Sequence, residues 1–435
     1  MRVGRLIDEC ISHGAKYADC MFIVARKLRV DYLNNNFVTA KSSSKVYILR
    51  ALVNGSWGIS VALEPENRMI NEAIDQALSK GPGSIKLADR RPIQGGYVIC
   101  QRKPVIDGDG SEISNYVRNV TSIIEKGPLD IKMVEGFVEA SLVTKTMMSS
   151  DGVNAYEVKP SLAAIFTAKS ASGGAVSTEV HGSGGFEILE DMDPQSVADE
   201  ILSKLSYISK SKPLNPYYRG SRFEVILSPY TAASVIQVVV ESTLNAKSYK
   251  RHFKQGCESL NIVDDPTLNG GYGSFFFDDE GVKARRKKLL EAGKLISLLH
   301  SRETAYTYGV EPTGNGRGLA EPPQPRHSNI VVEPCDWSFE EMVEETRMGL
   351  LIDGVKSIQI IDDLIVVEPE VSLLINRGEI TEAVKVGCFV IGLYEFYSSI
   401  KAIGSGPMRS AASSISECKM ASYSPPMKVE VRVFV

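Results

Sequence analysis

The sequence predicts an α+β protein of two domains. The chain has 435 residues, which is longer than one ordinary domain. The patterns of apolar residues predict elements in the order helix, strands, helices, strands and helix. This order lacks the regular strand–helix alternation of a parallel α/β fold. The segment 211–222 holds two prolines and no apolar periodicity, so it is the best candidate for a linker between domains.

The N-terminal domain is expected over residues 1–210. Leu6, Ile7 and Cys10 share one face of a first helix, which Gly14 can end. Asn54-Gly55 between two β-rich runs predicts a hairpin. The remaining predicted elements are strands at 20–24, 30–33, 131–148 and from a turn at 151–152 to about 169, helices carrying the apolar stripes 69–77 and 113–124, and a helix at 194–206.

The C-terminal domain is expected over residues 223–435. It opens with the strand FEVIL, after which Ser228 as N-cap and Pro229 at the first helical position start a helix that is apolar nearly all round and therefore buried. Four further patterns are interpreted as a strand into a tight turn (GSFFFDDEG), a hairpin turn (EAGK), a capping box (SFEE, 338–341) and a half-buried strand (MKVEVRVFV).

Composition argues against several classes of protein. The net charge is -4 with a sequence pI of about 5.9, so no basic field favours binding to nucleic acid or anionic lipid. No apolar stretch is long enough to span a bilayer, and the N-terminal MRVGRLIDECISHGAK lacks the apolar run of a signal peptide. Seven cysteines without a CxxC pair argue against a disulfide scaffold or a zinc ribbon. We therefore expect a cytoplasmic protein that binds neither nucleic acid nor membrane.

Local motifs identify no chemistry. The phosphate-binding GxxxxGK[ST] loop, the GxSxG elbow and the HExxH zinc motif do not occur. GNGRG at 314–318 is interpreted as a turn or a close backbone contact, and KARRKK at 283–288 as a charged loop. Three acidic groups are interpreted as turns or solvated loops: Asp264-Asp265, Asp278-Asp279-Glu280 and Asp362-Asp363.

Several segments, taken in order from about residue 14 to the last residue, resemble the TldD/PmbA family, also called TldD/TldE. They are GAKYADCMFIVARKLRVDYLNNNFVTAKSSSKVYILRALVNGSWGIS, VILSPYTAAS, FFFDDEGVKARRKKLLEAGKLISLLHSRETAYTYG, PTGNGRG and ECKMASYSPPMKVEVRVFV. The resemblance implies two domains, each with a mostly antiparallel sheet and packed helices.

The resemblance also implies where a zinc site would lie. In the TldD-type subunit, HExxxH stands on the helix after the first strand of the C-terminal domain, and a cysteine in a segment like CGKxGQxxP supplies a third ligand. The matching positions here are Val240, Glu241 and Asn245, with Cys418 in the cysteine position eight residues before Pro426. Lys419 and Ser422 replace the two glycines of that motif, and no histidine lies between residues 182 and 251.

These substitutions predict that this chain has no intact catalytic site and holds no metal or cofactor. A protease zinc needs about three protein ligands and an open position for water. Val240 has no donor atom, and Asn245 offers only a neutral amide. Glu241 is then expected as a helix-surface charge or a partner of Lys247 or Arg251, and Cys418 as a small buried apolar residue.

The chain therefore resembles the PmbA/TldE-type subunit, the zinc-less partner in a heteromeric metalloprotease. The resemblance implies a TldD-type partner that carries the zinc, a chamber that admits unfolded or short peptides, and a homodimer when the partner is absent. Two alternatives stay open: an autonomous metallopeptidase with an unrecognised ligand set, for example around His252 and Cys257, and a non-enzymatic peptide-binding module. The 275–277 phenylalanines and Trp57 are expected in the core or at a dimer interface.

Overall fold

A computed structural model describes residues 3–406, 408–415 and 418–435. The helices are α1 Val3–Ser12, α2 Arg68–Ser79, α3 Ser111–Glu125, α4 Glu187–Glu190, α5 Pro194–Lys210, α6 Pro229–Thr243, α7 Arg302–Tyr308, α8 Phe339–Glu344 and α9 Phe396–Ser399, with a 3₁₀ turn at Pro216–Tyr218. The α+β class, with antiparallel sheets and packed helices, is confirmed.

The N-terminal region forms one seven-stranded sheet. Its strands are β1 Tyr17–Leu33, β2 Asn36–Val53, β3 Ser56–Ala62, β4 Gln94–Val98, β5 Ile131–Ser149, β6 Asn154–Ser170 and β7 Ala175–Gly182. The order is β3-β2-β1-β5-β6, and both β4 and β7 pair with β6; only β4 runs parallel to its neighbour. The predicted strands 20–24 and 30–33 are parts of the single strand β1. The hairpin at Asn54-Gly55 is confirmed, and both residues have positive φ, as a type I′ turn requires.

One face of this sheet supports the helices of the N-terminal region. Side chains of a strand alternate between the two faces. Leu28, Val138, Leu162 and Phe166 point to one face and are fully buried against α3 and α5. The opposite face carries the odd-numbered residues of β5 and β6, and it is turned toward the C-terminal region.

The C-terminal region contains two larger sheets and a short ribbon. Its strands are β8 Lys212–Pro213, β9 Arg222–Leu227, β10 Ile262–Asp264, β11 Lys287–Glu291, β12 Lys294–Leu295, β13 Gly316–Arg317, β14 Gln324–Pro325, β15 Asn329–Val332, β16 Met348–Ile361, β17 Leu364–Asn376, β18 Glu379–Lys385, β19 Cys388–Gly392, β20 Ile400–Ile403, β21 Arg409–Ile415, β22 Cys418–Ser424 and β23 Met427–Phe434.

The two larger sheets enclose helix α6. One has the order β12-β11-β10-β15-β22-β21, and the other has the order β16-β9-β23-β19-β17-β18-β8. In the second sheet β16 also pairs with β17, so the five strands from β16 to β17 in this order form a closed ring. Helix α6 packs against strands of both sheets, and its apolar side chains lie in the largest core cluster. The expectation of a buried helix is confirmed. The predicted strand in GSFFFDDEG is wrong: these residues form a turn without strand pairing beyond a single bridge at Phe277.

Candidate functional site

The positions that match the zinc motif lie at the end of helix α6. Ser228 caps the start of this helix and Pro229 is its first residue, as predicted. Val240 is fully buried in the core between the two C-terminal sheets. The helix ends at Thr243, so Asn245 lies just beyond its last turn.

Glu241 and Asn245 form a hydrogen-bonded group with His327. The Glu241 carboxylate lies 2.9 Å from His327 Nδ1, and Asn245 Nδ2 donates to Glu241 Oε1 at 3.3 Å and to the Pro325 carbonyl oxygen at 2.7 Å. Burial raises the pKa of Glu241, but the hydrogen bond and charge of His327 lower it more, so the net pKa lies below its ordinary value. The expected pairing of Glu241 with Lys247 or Arg251 is wrong, because the Glu241 carboxylate binds His327.

This group does not fit a zinc ion. Val240 has no donor atom, and the Asn245 amide is already used, since its Oδ1 accepts from Lys247 N at 3.0 Å while its Nδ2 donates twice. Across residues 3–406, 408–415 and 418–435, no group of three or more His, Cys, Asp or Glu side chains is arranged to hold a metal ion.

His252 and Cys257 take part in separate local contacts. The His252 ring meets Tyr394 edge-on, with ring centroids 5.5 Å apart. Cys257 Sγ lies 3.0 Å from Ser259 Oγ. Tyr394 and Cys257 pack against the C-terminal core.

Cys418 lines a cavity between the N-terminal sheet and the C-terminal region. It is 1% exposed, and burial raises the pKa of its thiol. The cavity has a volume of about 700 Å³, within the ~300–1,000 Å³ of typical ligand pockets. Its floor is the free face of the N-terminal sheet, and Phe275, Arg317, Leu319 and Lys419 contribute to the opposite wall. This cavity is the candidate functional site.

A buried ion network joins the two regions at the cavity. Lys145 Nζ lies 3.1 Å from Glu157 and 3.0 Å from Asp279 Oδ1, and it also donates to the Phe277 carbonyl oxygen at 2.9 Å. Arg50 makes a bidentate ion pair with Asp19: Nε donates to Oδ1 and Nη2 to Oδ2, each at 2.9 Å. Arg50 Nη1 also donates to the Gly318 carbonyl oxygen at 3.0 Å. The N-terminal sheet therefore supplies cations to the carboxylate and carbonyl groups of the C-terminal region.

Of the three acidic groups, Asp362-Asp363 is an exposed turn, as predicted, whereas the other two contain buried carboxylates. Residues 278–280 do form a turn, but all three side chains are buried, and Asp264 is also fully buried in an ion pair with Lys287 at 2.8 Å. GNGRG makes the predicted close contact: Gly316 N and Gly318 N donate to Asp278 and Asp279 at 2.8 and 2.9 Å. A Cβ on Gly316 would lie 2.0 Å from the Glu280 carboxylate, so any other residue there would force the buried Glu280 side chain to move.

Three further cations lie on the cavity wall. Lys159 Nζ donates to the Tyr272 carbonyl oxygen at 3.0 Å, and Lys419 Nζ donates to Ser141 Oγ at 2.6 Å and also to Ser161 Oγ. The Arg317 guanidinium stacks over the Phe275 ring at 4.5 Å, and its Nε lies 3.7 Å from Asp279. Basic side chains thus contribute several groups to the cavity wall that also carries Cys418.

Comparison with known proteins identifies the fold and the family. Residues 220–433 match the family model described as "PmbA/TldA metallopeptidase C-terminal domain". A metalloprotease of Methanothermobacter thermautotrophicus is 27% identical over 91% of this chain and 89% of its own length. The chain belongs to the PmbA/TldD family.

Other members of the PmbA/TldD family agree with this assignment. A metalloprotease of Methanocaldococcus jannaschii is 35% identical over 46% of this chain and 46% of its own length. The solved structure of TldE from Thermococcus kodakarensis covers 99% of each chain with a TM-score of 0.78 at 16% identity, which shows a common fold. The family is metalloprotease-like, and the described helices of this member are all too short or too polar to span a bilayer.

Sequence reasoning about this PmbA/TldD-family chain missed His327 and the charged cavity. His327 lies 86 positions after Glu241, and no local spacing connects them. A signal for the cavity does exist in the sequence: Lys145, Glu157 and Lys159 interrupt strands that are otherwise rich in apolar residues. Charges on one face of a predicted strand indicate that this face meets a polar surface rather than an apolar core.

Glu179→Gln is expected to remove a pH-dependent loss of stability. Burial raises the pKa of Glu179 from 4.5 to about 7. Between these two values the unfolded chain releases the proton while the folded chain keeps it, so the free energy of unfolding falls as pH rises through this window, by on the order of 2–3 kcal/mol. Glutamine can still accept the hydrogen bond from Ala412 N, which is 3.0 Å in length.

Urea unfolding at pH 5 and pH 8 measures this effect. The wild-type chain should lose more stability between the two pH values than Glu179→Gln does. Glu64→Gln is the control, because Glu64 is exposed and its pairing with Lys45 lies on the surface. If the free energy of unfolding had the same pH dependence in the wild type and in Glu179→Gln, Glu179 would not be a buried carboxyl with a raised pKa.

Proposed function

We propose that this chain is the zinc-less, PmbA/TldE-type subunit of a heteromeric metalloprotease that acts on unfolded or short peptides. The observation that carries the proposal is the state of the motif positions: Val240 is a buried core residue, Asn245 is committed to structural hydrogen bonds, and Glu241 is held by His327. A TldD-type subunit would carry the zinc, and this chain would build part of the chamber wall.

The cavity and a strand edge beside it support a peptide-holding role. Strand β21 is the edge strand of its sheet, and its residues Ala412 and Ser413 line the cavity. An edge strand offers backbone groups to which an extended peptide can pair as an added strand, although Ala412 N already donates to Glu179. The wall beside it includes apolar side chains such as Val180 and Phe275, which can contact peptide side chains.

Assembly and location are part of the same proposal. A two-fold or pseudo-two-fold dimer is the expected assembly, with a homodimer when the TldD-type partner is absent. The chain would fold as domains 1–210 and 223–435 around the linker 211–222. All seven cysteines are free, which fits a reducing compartment such as the cytoplasm.

Zinc content and peptidase activity test the proposal. We expect the tag-free chain alone to contain almost no zinc by elemental mass spectrometry and to lack chelator-sensitive peptidase activity. Co-expressed with a TldD-type subunit, it should yield a complex with about one zinc per pair and faster cleavage of an unstructured peptide than the partner alone gives.

Two results would exclude this function. About one zinc per chain in the protein alone would favour the autonomous metallopeptidase. Peptide binding that brings no gain in cleavage with any TldD-type subunit would favour the non-enzymatic binding module. A Glu241→Gln variant is the internal control: it should leave the activity of the complex unchanged, since Glu241 has no catalytic part in the proposal.

A further inference from the structure

The cavity contains more cationic groups than carboxylates at the end near Cys418. Glu157 and Asp279 both contact Lys145, at 3.1 and 3.0 Å. Lys159 and Arg317 stand beside this group, and Arg317 Nε reaches Asp279 only at 3.7 Å. The other lining carboxylates are engaged elsewhere: Glu139 pairs with Lys27, and Glu179 accepts from Ala412 N.

Two of these basic side chains have surroundings that favour an anionic partner. Arg317 is 7% exposed, and its Nη1 finds no hydrogen-bond partner among the residues that the structure describes. A buried guanidinium nitrogen without an acceptor costs free energy. Burial, then the charges of Arg317 and Lys419, lower the pKa of Lys159 well below its ordinary value. A bound anion would bring negative charge next to Arg317 and stabilise the charged form of Lys159.

The surroundings select the kind of anion. A guanidinium fork binds carboxylate or phosphate, and both are charge-assisted contacts. The cavity also has apolar walls formed by side chains such as Ile23, Val143 and Leu319, and its volume of about 700 Å³ is far larger than an isolated ion needs. Beside it lies the edge strand β21. A carboxylate attached to an extended, partly apolar chain matches all three features.

We propose that Arg317 and Lys159 bind a carboxylate of the peptide substrate inside this cavity, so that the chain selects peptides by a free C-terminus or an acidic side chain. This inference rests on the proposed peptide-binding function and names the chemical group that the site recognises. Arg317 supplies the planar fork from above the Phe275 ring, and Lys159 supplies a second charge from the sheet floor.

Fluorescence anisotropy on the full chain tests the proposal. The probe is an N-terminally labelled, unstructured octapeptide of Ala, Val, Ser and Gly in three forms: free C-terminal acid, C-terminal amide, and amide with one internal Glu. We expect the acid and the Glu peptide to bind about tenfold more tightly than the plain amide, the usual effect of a charge-assisted hydrogen bond.

Variants assign the effect to the cavity. Lys159→Met and Arg317→Lys should each remove most of the preference for the acid, and Arg317→Lys keeps a positive charge for Asp279. Lys132→Met and Arg222→Lys are matched controls on exposed strand positions and should retain the preference. Lys159→Met should melt at the same temperature as the wild type or higher, because it removes a buried cation with a lowered pKa.

Several outcomes would overturn the proposal. They are equal affinity for acid and amide, absence of binding for all three peptides, and a preference that survives both cavity variants. Displacement of the peptide by 1 mM inorganic phosphate without any acid–amide difference would assign the cavity to free anions instead. These results are independent of zinc content and of cleavage with a TldD-type subunit, so a failed carboxylate site and a failed subunit function are distinguishable.

Discussion

Replacing Arg50 with methionine is expected to lower the free energy of unfolding by about 3–5 kcal/mol. Arg50 and Asp19 are both fully buried, and the guanidinium also donates to the carbonyl oxygens of Gly318 and Asp279 in the C-terminal region. Methionine fills a similar volume but leaves the Asp19 carboxylate without its partner in a dry environment. The cost of that uncompensated charge, rather than the worth of the ion pair, sets the size of the effect.

Chemical denaturation of Arg50→Met measures this loss. The control is Arg222→Met, which breaks an exposed ion pair with Glu430 and should cost less than about 1 kcal/mol. A double variant, Arg50→Met with Asp19→Leu, removes both charges and should recover much of the stability. If Arg50→Met lost no more than Arg222→Met, the pair would not be the buried junction that the structure describes.

Phe277→Ala is expected to cost about 3–5 kcal/mol and to loosen the junction of the two regions. Phe277 belongs to the C-terminal region, yet it is fully buried in a cluster with Met21, Met147 and Val153 of the N-terminal region. Lys145 Nζ lies 4.4 Å from the centre of its ring. Alanine would leave a cavity at this contact and remove the ring that the ammonium faces.

Calorimetry combined with limited proteolysis distinguishes a loosened junction from a general loss of stability. We expect Phe277→Ala to separate the melting of the two regions and to speed cleavage within 211–222. Phe389→Ala is the matched control, because Phe389 lies in the C-terminal core and is 1% exposed. It should lose comparable stability without separating the transitions. The same thermogram for both variants would argue against a junction role for Phe277.

The elements that depend on local pattern were predictable from the sequence. Helix α5 over Pro194–Lys210 and the hairpin at Asn54-Gly55 follow from capping, spacing and turn chemistry within a few residues. The sequence predicted two strands in place of β1, because Arg26, Lys27 and Arg29 in the stretch 25–29 hide the apolar alternation; Lys27 lines the cavity, and the two arginines pair with Asp107 and Asp31. Leu28 lies within this stretch and is fully buried on the face that packs against the helices, so β1 continues through it.

The features that depend on distant contacts were not predictable. Three consecutive phenylalanines resemble a strand, but each has a different partner: Phe275 lies under Arg317, Phe276 stacks on Tyr97, and Phe277 enters the N-terminal cluster. Tertiary packing overrides β-propensity there. Trp57 is a core residue at 3% exposure, as expected. The His327–Glu241 pair and the cavity arise only when strands far apart in the chain are brought together.

The central position of strand β23 has a consequence for biosynthesis. This strand lies between β9 and β19, and its pairing joins Met427 to Leu227, roughly 200 residues earlier. A ribosome that adds about 5–20 residues per second needs about 10–40 s to cover that distance. Through that interval β9 and the apolar helix α6 have no completed sheet to cover them. Nascent chains stalled before residue 427 should therefore depend on holdase chaperones, even though the N-terminal sheet is already complete.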